Sequence, residues 1–247
     1  MHLNLPTSVL WAVETAAMVV IIILMLRRGL HREYRVFFFY MIYEVLLTLS
    51  LFMLRGSYAA YFYAYWTGEA LEVVLAFAVI YEVFGLLLRP YPAVRRVAVV
   101  LLAWAAVLLV GIAIVLAMMP HGEKYRLMSL LFAAERTVAV LQSGLLIFLF
   151  LFAASLGITW RHHLFGIAMG FGLLGVTTLA ASAIRVQVGY DAAAVFHWIK
   201  MGSYLSALFL WAGYFLTTEP STLRSPALPG ETSLQRWDEA LMQVMQQ

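Results

Sequence analysis

An all-α bundle of seven transmembrane helices is the fold this sequence predicts, and three observations predict it. The first is composition. Of 247 residues, 64% are hydrophobic and only 12% charged, whereas a soluble domain carries roughly 25% charged residues. Mean hydropathy is +0.89. So little charge cannot cover a surface that faces water. The second is spacing: apolar runs of about 20 residues, the length that crosses a ~30 Å hydrocarbon core, recur seven times along the chain. The third is the placement of the basic residues, fourteen Arg and two Lys, which gather at the ends of those runs.

The first span covers about 8–26 and stops at Arg27-Arg28. It does not read as a cleavable leader, because its positive charge follows the apolar run rather than preceding it. A basic loop leads to the second span, 36–54, with Glu44 near its middle. Residues 58–66 are rich in Tyr, Phe and Trp, which collect at the lipid headgroup level; they read as an interfacial belt or an extension of the helix that follows. The third span, 66–88, carries Glu69, Glu72 and Glu82, then ends at Arg89-Pro90-Tyr91-Pro92, where two prolines stop a helix.

The fourth span, 97–119, holds no charge and ends before Pro120-His121-Gly122, a turn signal. The fifth, 128–159, contains Glu135-Arg136 and is longer than one crossing requires. The sixth, 164–184, contains Gly166, Gly170, Gly172 and Gly175. The seventh, 191–216, carries His197 and Lys200. Residues 1–217 thus form the membrane domain, and 218–247 form a tail. Thr232 and Gln235 have capping-box spacing, and Leu234, Trp237, Leu241 and Val244 recur at helical spacing. The stretch 232–247 is therefore expected to hold a short amphipathic helix, placed for a cytoplasmic partner or the membrane surface.

Loop charge sets the orientation. Ten Lys and Arg lie in the loops on one side and four on the other. The positive-inside rule puts the C-terminus in the cytoplasm and the N-terminus outside. The lipid bilayer is the first partner implied. The bias toward Arg over Lys suggests a bacterial source, hence a multi-pass protein of the bacterial inner membrane. The chain has no cysteine, which excludes disulfides, thiolate metal sites and cysteine nucleophiles. No nucleic-acid motif is present.

The chemistry lies in the polar residues within the spans. An ionised side chain near a bilayer centre costs roughly 2.5–3.5 kcal/mol and normally faces the protein interior. Glu69 and Glu72 share a helix face. Depth along the helices, at about 1.5 Å per residue, brings Glu69, Glu72, Glu135, Arg136, His197 and Lys200 to the outer half of the bundle, with Glu14 at a similar depth. These are the candidate ligand- or ion-binding residues. Glu44 near the midplane and Glu82 nearer the inner side are candidate steps of a proton or ion path. The spans hold six Glu against Arg136 and Lys200. Because burial penalises the charged form, that excess calls for protons or a bound cation. Polar residues that merely join helices are the structural alternative.

Several motifs carry less. Residues 170–175 spell G-x-G-x-x-G, but they lie inside a hydrophobic span and not in a strand–helix unit. Gly166 and Gly170 read instead as a close helix contact. His162 and His163 are adjacent, so a helix points them about 100° apart, a poor metal pair. A metal held by His197 with Glu72 or Glu135 would draw on separate helices. Lysine in a seventh span suggests retinal proteins, yet the residue four before Lys200 is Phe196, where microbial rhodopsins place an Asp. No motif indicates a cofactor. No nucleophile-plus-base pair or phosphate-binding sequence supports a catalytic residue, so an intramembrane lipid-modifying enzyme is the least favoured reading. A sensor or receptor-like protein for a small polar ligand, ion or proton comes first. A proton- or cation-coupled transporter or channel is the alternative.

Overall fold

The computed structural model describes residues 5–89, 137–144, 162–188 and 193–217, with 95–96, 99–100, 103–104, 107 and 147, and side chains throughout except at 5–8 and 182–197. Every regular element among them is helical: α1 (Leu5–Arg27), a single 3-10 turn (Leu30–Arg32), α2 (Arg35–Leu54), α3 (Tyr58–Leu87), α4 (His163–Val188) and α5 (Ala193–Leu216). Residues 137–144 are also helical. Helices α1 to α3 match the first three expected spans, and α4 and α5 match the sixth and seventh. The fourth and fifth spans lie largely outside the described residues, as does the tail 218–247.

Four of these helices, α1 to α4, are long and apolar enough to cross a membrane, which makes the chain a membrane protein by length and composition. The surface supports this. Val9, Val20, Phe39, Leu46, Met53 and Val74 are each between 47% and 80% exposed, while Glu44, Gln142, Ser143 and His163 are buried. Apolar residues outside and polar residues inside invert the order that water imposes, as a lipid solvent does. At the described parts of 95–107, Val100, Trp104 and Val107 are also exposed, at a spacing that sets them on one face.

The junctions follow local chemistry. Gly29 ends α1 with a φ of 71°, a left-handed conformation that glycine adopts without a Cβ clash. Helix α3 begins at Tyr58, so the aromatic belt is a continuation of the third span. Its 30 residues reach about 45 Å, beyond the hydrocarbon core. That places exposed Tyr58 and Tyr63 at headgroup depth.

The five helices close a ring: α1 lies against α2 and α5, α2 against α3, α3 against α4, and α4 against α5. One end of the ring is tied by helix-terminal bonds. The Glu82 carboxylate on α3 accepts from the backbone N–H of Val36 (2.9 Å) and Phe37 (3.1 Å) in the first turn of α2. The Arg28 guanidinium donates to the carbonyls of Leu216 (2.6 Å) and Thr217 at the end of α5. Anions suit helix N-termini and cations suit C-termini, since unsatisfied N–H and C=O groups concentrate there. These bonds set the ends of α1, α3 and α5 beside the start of α2. His163, at the start of α4, stacks on Phe215 near the end of α5, with ring centroids 5.5 Å apart. Successive crossings among the described helices are thus antiparallel, as expected.

Just inside that end lies an aromatic layer. Phe37 meets Trp211 at 5.1 Å, Phe215 at 5.8 Å and Phe171 at 6.1 Å between centroids, and all four rings are fully buried. Offset and edge-on rings at such distances attract one another beyond their area burial. The Trp211 Nε1–H donates to the Ile167 carbonyl at 3.3 Å. Glycine makes this contact possible. A Cβ at Gly170 would strike the Trp211 indole, and one at Gly166 would strike the Tyr214 ring; a Cβ at Gly175 would stand 2.6 Å from the Ala139 carbonyl. The glycine-rich run is therefore a surface of close helix contact.

Candidate functional site

Beyond the aromatic layer, the ring encloses a cavity of about 310 Å³ lined from α1, α2, α3, α4, α5 and residues 138–142. Each helix contributes a stripe one turn apart: Trp11, Glu14 and Met18 from α1; Tyr40, Glu44, Leu47, Thr48 and Leu51 from α2; Tyr65, Glu69, Glu72, Val73 and Ala76 from α3; Leu174 and Thr178 from α4; Lys200, Met201, Ser203 and Tyr204 from α5; and Val138, Ala139 and Gln142. The stripes occupy the first half of α1 and α5, the first half and middle of α3, and the middle and second half of α2. In antiparallel helices these are the same half of the bundle, opposite Arg28 and Glu82.

Local structure positions the acids. Helices α2 and α3 approach closely at Gly68, where an added Cβ would collide with Leu47. The Tyr43 hydroxyl donates to the Gly68 carbonyl at 2.7 Å. Glu69 follows Gly68 directly, and Glu44 follows Tyr43. The close approach therefore brings both carboxylates to the cavity wall from neighbouring helices.

Glu44 is the deepest of them, at 7% exposure. The phenols of Tyr40 and Tyr204 face its carboxylate. Its Oε1 is buried without a hydrogen-bond partner, and so is the Tyr204 hydroxyl oxygen. A buried acceptor with no donor is costly, and here it borders a cavity. Glu14, Glu69 and Glu72 are half-buried, and Lys200 is exposed at the α5 wall. The Tyr65 phenol faces Glu69 one helical turn away.

The structure thus brings Glu69, Glu72 and Lys200 to one cavity and adds Glu14 and Glu44. Glu44, expected as a step on a path, belongs to the cavity wall. Glu82 does not line it, and both of its oxygens are engaged by the start of α2. Glu135 and Arg136 lie outside the described residues. His197 lies on α5, with its side chain outside the description. Among the described residues, no three His, Cys, Asp or Glu converge in a way that could hold a metal ion.

The aromatic lining was not anticipated as part of the site, although the sequence carries its signal. Of the five charged groups described on the wall, all but Glu72 have a ring one helical turn away: Trp11 and Glu14, Tyr40 and Glu44, Tyr65 and Glu69, Lys200 and Tyr204. Comparison with family models, with curated proteins and with solved structures returns no match.

Proposed function

We propose that this chain is a receptor-like sensor of a bacterial inner membrane, and that the cavity bordered by Glu44 receives a small polar ligand. The observation that carries the reading is the buried, unpartnered Glu44 Oε1 at the wall of a cavity of about 310 Å³. Small-molecule pockets run from roughly 300 to 1,000 Å³ and are mostly apolar, with a few polar groups that fix orientation. Met18, Leu47, Val73 and Leu174 give the apolar wall, and the carboxylates, Lys200 and the tyrosines give the polar one. On the charge bias of the loops, seven spans carry the N-terminus outside and the cavity in the outer half. The tail then lies in the cytoplasm, where residues 232–247 would pass the signal to a partner.

Transport would require the polar route to continue to the other side. Between Glu44 and that side stand the four rings of the aromatic layer, and Glu82 beyond them serves the terminus of α2. Those features support binding over passage. The test is native mass spectrometry of the protein purified in a gentle detergent, with intact mass under denaturing conditions beside it. A retained small molecule that is lost in Glu44→Gln supports the reading. Proton or cation flux in proteoliposomes that is abolished by Glu44→Gln would replace it with transport.

A further inference from the structure

The lining of the cavity narrows the class of ligand, and the narrowing rests on the receptor reading above. Among the described residues, the acidic and basic side chains on the wall are Glu14, Glu44, Glu69 and Glu72 against Lys200, so carboxylates there outnumber the ammonium by three. Among the described residues, an anion would meet one cationic side chain and four acidic ones. Such a mismatch of sign opposes binding in a partly dehydrated site. A bare metal ion is disfavoured on geometry. The carboxylates are spread over α1, α2 and α3, and no three converge on one point among the described residues, whereas hard cations require compact oxygen shells.

An organic cation fits both the charge and the spread. Its charged head takes one carboxylate, and its body lies along the apolar wall. Trp11, Tyr40, Tyr65 and Tyr204 all line the cavity, and aromatic faces attract ammonium groups. The unpartnered atoms then choose between kinds of ammonium. Glu44 Oε1 requires a donor, and the Tyr204 oxygen beside it accepts one. A quaternary ammonium has no N–H to give. A primary or secondary ammonium can donate to both atoms at once.

We infer that the cavity binds a protonated aliphatic amine, with its N–H groups donated to Glu44 Oε1 and to the Tyr204 hydroxyl oxygen and its chain laid against Leu47, Val73 and Leu174. The charged hydrogen bond to a buried carboxylate supplies affinity, and the tyrosines supply discrimination against quaternary heads.

The experiment measures binding of butylammonium and putrescine to the full chain in detergent, by calorimetry and by thermal shift. Tetraethylammonium, butyrate and magnesium chloride serve as comparators. The amines are expected to bind and raise the melting temperature, and the comparators are not. Glu44→Gln should weaken the amines by roughly thirtyfold or more. Tyr204→Phe, which keeps the ring, should weaken them about fivefold and narrow the gap to tetraethylammonium. Ser50→Ala, on the exposed face of α2, should leave binding unchanged. Tetraethylammonium or butyrate binding as well as the amines, with loss in Glu44→Gln, would overturn the amine assignment and leave the receptor reading standing. If no compound binds, no molecule is retained in native mass spectrometry and Ala76→Phe, which fills the cavity, alters neither measurement, both are overturned.

Discussion

Glu44 sits where a carboxylate is expensive, and no protein group in the described structure bonds its Oε1. A buried unsatisfied acceptor costs about 1–3 kcal/mol, more when charged. Replacing it with glutamine removes the charge, keeps the shape and offers an N–H₂ to the neighbouring phenols. Glu44→Gln is therefore expected to raise the stability of the ligand-free protein by about 1–3 kcal/mol, read as a higher melting temperature, while it removes the ligand response. A residue that lowers stability and is needed for binding has the profile of a functional site; a lower melting temperature would make Glu44 a structural element. The sequence separates Glu44 from Glu82 poorly, since both are acids in apolar runs. What distinguishes them is tertiary. The partners of Glu82 are backbone N–H groups 45 and 46 positions away, and no local pattern reports that. The rings beside Glu14, Glu44 and Glu69 were legible at three- and four-residue spacing, but the same spacing is common in any aromatic-rich membrane helix.

At the scale of elements, the helices are fixed by their ends and by their glycines. Glu82 serves the N-terminus of α2 with both oxygens, a task usually given to a local Ser, Thr or Asp; Tyr34, at that cap position, makes no side-chain cap bond. Glu82→Ala is expected to destabilise the protein by about 1–2 kcal/mol in thermal unfolding, with amine affinity unchanged because the residue does not line the cavity. A loss of binding that exceeds the loss of stability would return Glu82 to a role in a path. Gly170→Ala presses a methyl into the Trp211 indole. It should cost about 1–3 kcal/mol, as overfilled cores do, while Gly213→Ala, where a Cβ meets nothing within 4 Å, should be close to neutral. These glycines were legible as a contact surface in the sequence, because small residues at four-residue spacing have one main use between membrane helices. The cap at Glu82 was not.

For the whole molecule, the decisive property is which side of the membrane the cavity faces. The described helices run antiparallel, and the bonds of Arg28 to α5 and of Glu82 to α2 place those ends together. Geometry therefore sets the loop at 28–34 on one side and the turn at 55–57 on the other. Charge assigns the sides. Arg27, Arg28, Arg32 and Arg35 crowd the first loop, whereas Arg55 stands alone at the second, so the orientation we propose on the positive-inside rule keeps the basic loop in the cytoplasm. Composition made the apolar helices legible before any coordinates, and the loop charge supplies the orientation that we propose. The cavity was legible only as a shared depth, because its walls depend on how the ring closes. The absence of cysteine makes a direct test available. Ser57→Cys and Glu33→Cys, both at exposed positions, each introduce one thiol without removing a basic residue from the loops that set the bias. In intact bacterial cells, a membrane-impermeant maleimide is expected to label Ser57→Cys and to label Glu33→Cys only after permeabilisation. The reverse pattern would turn the bundle over and place the cavity toward the cytoplasm. An amine reaching Glu44 would then come from inside the cell, and the protein would monitor an internal pool.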